Sequence, residues 1–189
     1  MKFSPVVVFF IAIAIASLLS PGCKKRPPEE AVPPPPSGSN VNEVFNVAKR
    51  PGKAPEFSWR DSTGSVVSFD AFRGKLTLVN FWATWCGPCK RELPALIDLN
   101  KEYAGRGVTI LGVSSDRGAN IIEDVRAFVH DNGITYQIVL SNDDLEEAFG
   151  NIRALPTSFL INQEGEIVQT FVGGREKQFF VQAITEALR

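Results

Sequence analysis

LTLVNFWATWCGPCK, residues 76–90, joins an apolar run to two cysteines that are separated by two residues. Residues 76–82 have the length and the composition of a strand buried on both faces. Cys86 follows a short turn, and we expect it in the first turn of a helix, where unpaired backbone amides and the helix dipole favour a thiolate. Cys89 lies one turn further along the same helical face, within reach of Cys86. The segment therefore predicts a strand, a turn and a helix that begins with two sulfurs.

The spacing of the two cysteines predicts thiol-disulfide exchange. A thiolate at Cys86 would attack a client disulfide, and Cys89 would then resolve the mixed disulfide and release the reduced client. A structural disulfide or half of a metal site is the alternative. A zinc site needs about four ligands, yet the remaining candidates are Cys23 and the single histidine, His130. We therefore expect no metal and no cofactor, and we keep a Cu(I) carrier that uses both thiolates as an alternative.

The first 22 residues predict a signal peptide or a membrane anchor. An uncharged apolar run over residues 6–19 follows a basic start and leads through small residues to Cys23. This pattern resembles a bacterial lipoprotein signal, in which the cysteine is lipidated. An uncleaved anchor is the alternative, because residues 3–22 are uncharged and a spanning helix needs about 20 residues. In both interpretations the rest of the chain is tethered to a membrane, outside the cytoplasm.

Residues 23–51 predict a proline-rich linker. Its tract at residues 33–36 is surrounded by charged and small residues, which cannot build a core. Residues 41–50 are compatible with a short helix or with more linker. Residues 52–189 match one domain of ordinary size.

Two classes of function are disfavoured by the sequence. A net charge of −1 with scattered cations does not predict a nucleic-acid partner. A thiol peroxidase should carry Pro-x-x-x-Thr-x-x-Cys, but the matching positions before Cys86 are Val79 and Ala83.

In the rest of the domain, the spacing of apolar residues predicts alternating strands and helices. Residues 57–59 and 66–69 flank a polar turn and predict a hairpin. Further strands are expected at 109–114, 136–140, 157–161 and 167–172, and helices at 87–103, 120–132, 143–149 and 175–188. This alternation predicts an α/β sandwich with an antiparallel hairpin at its end.

These motifs resemble the thioredoxin superfamily, and more narrowly its membrane-tethered TlpA/ResA-like branch, over residues 54–188. The resemblance rests on VNFWATWCGPC at residues 79–89, CKRELP at 89–94 and LPTSFLI at 155–161. It implies a thioredoxin-like α/β fold with an N-terminal β-hairpin and an inserted helix and strand near residues 120–140.

The resemblance also implies which residues surround the cysteines. Pro156 would form a cis peptide bond with Leu155, in a loop that faces the disulfide and binds the client as a short strand. Leu155 would add an apolar wall, and Trp85, Gly87 and Pro88 complete the predicted substrate-binding set. Core packing is the alternative role for Trp85, and an ordinary proline at a strand entry is the alternative for Pro156.

One position departs from the thioredoxins. The central strand carries Asn80 where thioredoxins carry a buried acid used in proton transfer to the second cysteine, and an amide cannot titrate. The TlpA/ResA-like branch has an acid just beyond the motif instead, and Glu92 matches it. We therefore expect Glu92 to be the third catalytic group, which tunes the cysteine pair or relays its protons. A solvated helix glutamate is the alternative.

The dipeptide Gly87-Pro88 is that of reducing thioredoxins, whose potential lies at about −270 mV. The resemblance therefore implies an extracytoplasmic, periplasmic-side reductase, with a disulfide oxidase or isomerase as the alternative. Implied partners are client disulfides, such as that of apocytochrome c, and a membrane thiol-electron donor of the CcdA/DsbD type. We expect a monomer, because the tether already supplies proximity.

Overall fold

The structure is a computed structural model that describes residues 41–61 and 63–189. The predicted signal peptide or anchor, Cys23 and the proline tract of the linker lie outside the described residues. Within the described part, we find no helix with the length and apolar composition needed to cross a membrane.

The described residues form nine strands, four α-helices and a 3-10 helix, and from residue 56 onwards the strands and α-helices follow the predicted order. The strands are β1 (Asn42–Glu43), β2 (Phe45–Ala48), β3 (Glu56–Arg60), β4 (Val66–Ser68), β5 (Leu76–Trp82), β6 (Val108–Ser114), β7 (Gln137–Leu140), β8 (Thr157–Ile161) and β9 (Ile167–Val172). The helices are α1 (Gly87–Tyr103), α2 (Ile121–Asp131), α3 (Asp143–Ala148) and α4 (Lys177–Ala187), and the 3-10 helix is Phe69–Phe72.

A six-stranded sheet carries the fold, in the order β1-β7-β6-β5-β8-β9. All seven residues of β5 are buried, which confirms the prediction of a strand covered on both faces. It pairs in parallel with β6 and antiparallel with β8. A second sheet, β2-β3-β4, contains the predicted N-terminal hairpin of β3 and β4.

The residues of β5 alternate between two cores. Leu78 and Trp82 pack with α1, α2 and α4, in the same cluster as the two cysteines. Val79 and Phe81 pack with aromatic residues of β3 and of the 3-10 helix on the opposite face. The sheet therefore lies between two layers, which confirms the α/β sandwich.

Residues 41–50 correct the sequence-based interpretation of a short helix or more linker. They form β1, which pairs in parallel with β7, and β2, which pairs antiparallel with β3. The side chains of Val41 and Val44 are almost completely buried. A two-residue strand has no periodicity of its own, so only its distant partner β7 reveals it. The folded region thus includes residues before the predicted boundary at 52.

Gly112 offers a test of this packing. A Cβ atom at this position of β6 would overlap Cδ1 of Ile138 and lie 3.1 Å from Trp82 Nε1 and Tyr136 Cε2. We expect Gly112→Ala to lower the free energy of unfolding by about 1–3 kcal/mol through overpacking, measured by chemical denaturation. Adding Ile138→Val removes the overlapping atom and should recover part of the loss. A double variant no more stable than Gly112→Ala would contradict this account.

Candidate active site

Cys86 and Cys89 form a disulfide at the start of α1, with their Cα atoms 5.3 Å apart. Cys86 is the N-cap residue with an extended backbone, one position before the first helical turn in which the sequence places it. Its Sγ atom accepts a hydrogen bond of 3.2 Å from the backbone amide of Cys89. The N-cap is where free helix amides favour negative charge, so the physical reason for activating Cys86 is unchanged.

A surface cleft lies beside Cys86. Trp85, Gly87 and Pro88 line one side of it, and residues 152–155 line the other. Trp85 is 69% exposed, so core packing is the wrong interpretation of this indole. Cys86 itself is 4% exposed. The cleft therefore offers an approach to Cys86 with Trp85 at its rim, and its lining also includes Ser115, Glu146 and Arg153.

The loop on the far side of the cleft contains the predicted cis peptide bond, between Leu155 and Pro156. The Pro156 carbonyl oxygen accepts a hydrogen bond of 2.8 Å from the amide of Gly173, and Thr157 Oγ1 donates one of 2.8 Å to the Ala154 carbonyl. The half-buried side chain of Leu155 packs against the core cluster that includes both cysteines. The prediction of an apolar wall near the sulfurs is consistent with this placement.

Glu92 lies three residues after Cys89 on α1 and is 3% exposed, so a solvated glutamate is the wrong interpretation. Its Oε1 atom lies 3.4 Å from Asn80 Nδ2, and its Oε2 atom accepts a hydrogen bond of 3.2 Å from the Arg175 amide. Asn80 Nδ2 also donates to Ser158 Oγ at 2.9 Å. Glu92 of α1 and Asn80 of β5, where the sequence has an added and a missing acid relative to the thioredoxins, are thus neighbours between the helix and the sheet.

Burial raises the pKa of Glu92 to about 7, although the hydrogen bond and the charge of Arg175 oppose the shift. Tyr136 is fully buried nearby, and its pKa is raised by burial and by the charge of Glu92. A carboxyl group with this pKa exchanges its proton readily at neutral pH. Glu92 can therefore hold or release a proton next to the cysteine-bearing turn of the helix.

The chemistry of the site depends on sulfur. Among residues 41–61 and 63–189, no group of three or more His, Cys, Asp or Glu side chains could hold a metal ion. His130 is highly exposed and contacts Asp131 instead.

The sequence patterns do not identify Asp116, which lies next to the cysteine loop. It follows β6 and accepts hydrogen bonds from Thr84, in the loop that leads to Cys86. Its position just beyond the carboxyl end of a strand next to β5 is the signal that could have found it, because functional groups collect at that edge of α/β sheets.

The titration of Glu92 should appear in the stability of the oxidised protein. Because the folded state raises this pKa from 4.5 to about 7, the neutral acid contributes its full stability below pH 4.5, and that contribution is lost as the pH rises to about 7. Wild type loses this contribution and Glu92→Gln does not. The unfolding free energy of Glu92→Gln minus that of wild type should therefore rise by about 3 kcal/mol between pH 4 and pH 8. Denaturant titrations across this range measure it, and a pH-independent difference would contradict the assignment.

Comparisons with known proteins agree with this geometry. The model of the AhpC/TSA family matches residues 52–170. Thiol-disulfide oxidoreductase ResA from Geobacillus kaustophilus is 36% identical over 125 residues, which are 66% of this chain and 70% of that protein. A thiol:disulfide interchange protein of the thioredoxin family from Chlorobium tepidum is 33% identical, with a TM-score of 0.66, over 75% of this chain and 99% of that one.

A further solved structure is the pneumococcal exposed lipoprotein thioredoxin from Streptococcus pneumoniae. It is 28% identical, with a TM-score of 0.57, over 69% of this chain and 98% of that one. The predicted thioredoxin-like fold and the resemblance to ResA-like proteins are confirmed. The chain belongs to the thioredoxin-like AhpC/TSA family and is a thiol-disulfide oxidoreductase.

Proposed function

We propose that this protein reduces disulfides in client proteins outside the cytoplasm. The observation that carries the proposal is the Cys86–Cys89 disulfide at the N-terminus of α1, across a cleft from the loop of cis-Pro156. The first cysteine borders a surface cleft, the second is bonded to it, and the opposite wall combines Ile152, Ala154 and Leu155 with the charged Arg153. These are the requirements for two successive exchanges with a protein client.

The reaction starts from the dithiol form of the protein. The Cys86 thiolate attacks one sulfur of the client disulfide, so a mixed disulfide forms and one client thiolate leaves. Cys89 loses its proton and attacks the Cys86 sulfur, which breaks the mixed disulfide and releases the second client thiolate. Two electrons pass to the client and the Cys86–Cys89 disulfide forms. The structure corresponds to this oxidised product, which a dithiol donor must reduce before the next cycle.

The walls of the cleft suit a client segment. Trp85 presents an exposed aromatic surface, which adds contact area at the rim. Gly87 and Pro88 themselves add no long side chain to the approach to Cys86. The backbone around Leu155 and Pro156 would pair with the client as a short added strand, which orients the client disulfide towards Cys86.

Glu92 serves Cys89 in the second exchange. The two residues are three apart on α1 and are therefore neighbours on the helix surface. With a pKa raised to about 7, the carboxylate form accepts the proton that Cys89 must lose. The neutral form returns a proton when the disulfide is reduced again.

The location follows from the N-terminal sequence pattern, and the partners are those that the family resemblance implies. Residues 1–22 target the chain to the cell envelope, and a lipid on Cys23 holds it to the membrane on the periplasmic side. A membrane thiol donor of the CcdA/DsbD type re-reduces the disulfide, and the clients include apocytochrome c. The similar structure that is named an exposed lipoprotein thioredoxin supports the lipid attachment. The tether supplies proximity, so the protein acts as a monomer.

The reduction potential of the cysteine pair tests whether electrons flow from this protein to its clients. We expect the reduction potential of the Cys86–Cys89 pair at about −270 mV, below the cytosolic glutathione range that extraction methods give. Equilibration with redox buffers, followed by trapping and counting of free thiols, measures it. A value of about −120 mV would instead identify a disulfide oxidant or isomerase, and stoichiometric copper retention without reductase turnover would identify a Cu(I) carrier.

The proton role of Glu92 predicts a defect in the second exchange. Glu92→Gln should slow release of the reduced client by about tenfold at pH 7, which is less than the roughly 10²–10⁴-fold typical of acid–base catalysis because water replaces part of the role. Stopped-flow measurement of single turnovers separates this step from mixed-disulfide formation. Glu102→Gln is the matched control, because it removes an exposed carboxylate from the same helix. Equal release rates in wild type and both variants would contradict the assignment.

A further inference from the structure

Asp116 is a buried carboxylate that binds the loop in front of Cys86. It is 5% exposed. Its Oδ2 atom accepts hydrogen bonds from the Thr84 amide at 2.9 Å and from Ser114 Oγ at 2.8 Å, and its Oδ1 atom accepts one from Thr84 Oγ1 at 2.7 Å. Both the backbone and the side chain of Thr84 are thus held by one carboxylate.

The loop at residues 83–86 connects the end of β5 to the start of α1. Its two ends are held by backbone bonds, from the Ser115 amide to the Trp82 carbonyl at 2.7 Å and from the Cys86 amide to the Ala83 carbonyl at 3.1 Å. Thr84 lies in the middle, two residues before Cys86. Asp116 is therefore the side chain that restrains the middle of this short connection.

Asp116 is itself held in place. Its amide donates a hydrogen bond of 3.2 Å to Ser114 Oγ, and Arg117 Nη1 donates one of 3.0 Å to its carbonyl oxygen. Arg117 Nη2 in turn donates to Glu146 of α3 at 3.0 Å. Because β6 and α3 support it from two sides, the carboxylate can transmit a fixed position to the loop.

Burial of a carboxylate is costly unless its oxygens are well hydrogen-bonded. The donors to Asp116 in the described structure are one amide and two hydroxyls, and two of these three belong to Thr84. These hydrogen bonds offset the cost of burial, and because two of the three donors belong to Thr84 they also fix the position of the loop.

We propose that Asp116 is a positioning residue for Cys86, which by restraining Thr84 keeps Cys86 at the N-cap of α1. In that position the Cys89 amide donates to the Cys86 sulfur and the free end of the helix faces it. The inference rests on the proposed attack by Cys86 but concerns the thiol before any client binds. Its test therefore needs no client, and its failure is distinguishable from failure of the proposed function.

Charge and position have opposite effects on the Cys86 thiol. A nearby negative charge disfavours a thiolate, so removal of the charge alone would lower the thiol pKa. Loss of the N-cap position removes the amide and the helix dipole from the thiolate, so the pKa would rise. The other charged groups are Glu146 and Arg153, which line the cleft with Cys86, and Lys90, Arg91 and Glu92, which follow it on α1; they stay unchanged in all variants.

The experiment measures the alkylation rate of the reduced full-length chain against pH, with mass spectrometry to assign the modified cysteine to Cys86. Thr84→Val keeps the carboxylate but removes one of its donors, and Thr84→Ser is its matched control. Asp116→Asn keeps an oxygen for the Thr84 amide and an amide group for the hydroxyls, whereas Asp116→Ala removes the restraint. Asn162→Ala controls for stability, because it removes the side chain that accepts from the Glu164 and Glu166 amides in the turn after β8, at the end of the sheet opposite the cysteines.

We expect the alkylation midpoint of Thr84→Val to lie about half a pH unit above that of Thr84→Ser, the size of a helix-dipole contribution. The midpoint of Asp116→Ala should lie above that of Asp116→Asn, and Asn162→Ala should match wild type. Coincident midpoints for the two Asp116 variants would assign the effect to charge and overturn the proposal. Equal midpoints for Thr84→Val and Thr84→Ser would also overturn the proposal, because Asp116 would then contribute to stability without positioning Cys86.

Discussion

The pairing of β5 with two neighbours of opposite direction is the constraint on which the site depends. Because β5 runs parallel to β6 and antiparallel to β8, the ends of the first two strands and the start of the third meet at one edge of the sheet. The cysteine loop, Asp116 and the cis-Pro156 loop emerge from these three points. Backbone hydrogen bonds within the sheet thus bring together groups that are distant in sequence.

The same edge receives the end of β9, which adds the residues that enclose Glu92. The Gly173 amide binds the Pro156 carbonyl, and two residues later the Arg175 amide binds the Glu92 carboxyl group. The turn after β9 therefore connects the client loop to the acid beneath the cysteines. Any change in this turn would alter both the loop and the environment of the acid.

Two buried carboxyl groups at this edge have different surroundings. Glu92 has one amide donor at 3.2 Å and the Asn80 amide group at 3.4 Å, and its burial raises its pKa to about 7. Asp116 accepts three shorter hydrogen bonds, two of them from Thr84. Weak solvation of the first suits proton exchange, whereas the dense bonding of the second suits a fixed structural contact.

Local sequence patterns determined most of the secondary structure and the chemistry of the cysteine pair. The apolar run of β5, the two-residue spacing of Cys86 and Cys89, and the polar turns between strands depend on neighbours within about one helical turn. The family resemblance added the cis bond at Pro156 and the choice of Glu92, because those motifs match relatives along the whole domain.

Tertiary structure alone decided which side chains are exposed, buried or joined across the fold. The assignment of residues 41–50 to strands depends on β7, nearly a hundred positions away, and the burial of Glu92 depends on Asn80 and Arg175. The exposure of Trp85 and the contact of Asp116 with Thr84 likewise have no local signature. Burial and hydrogen bonding between distant segments arise only when the sheet assembles, so no short stretch of sequence encodes them.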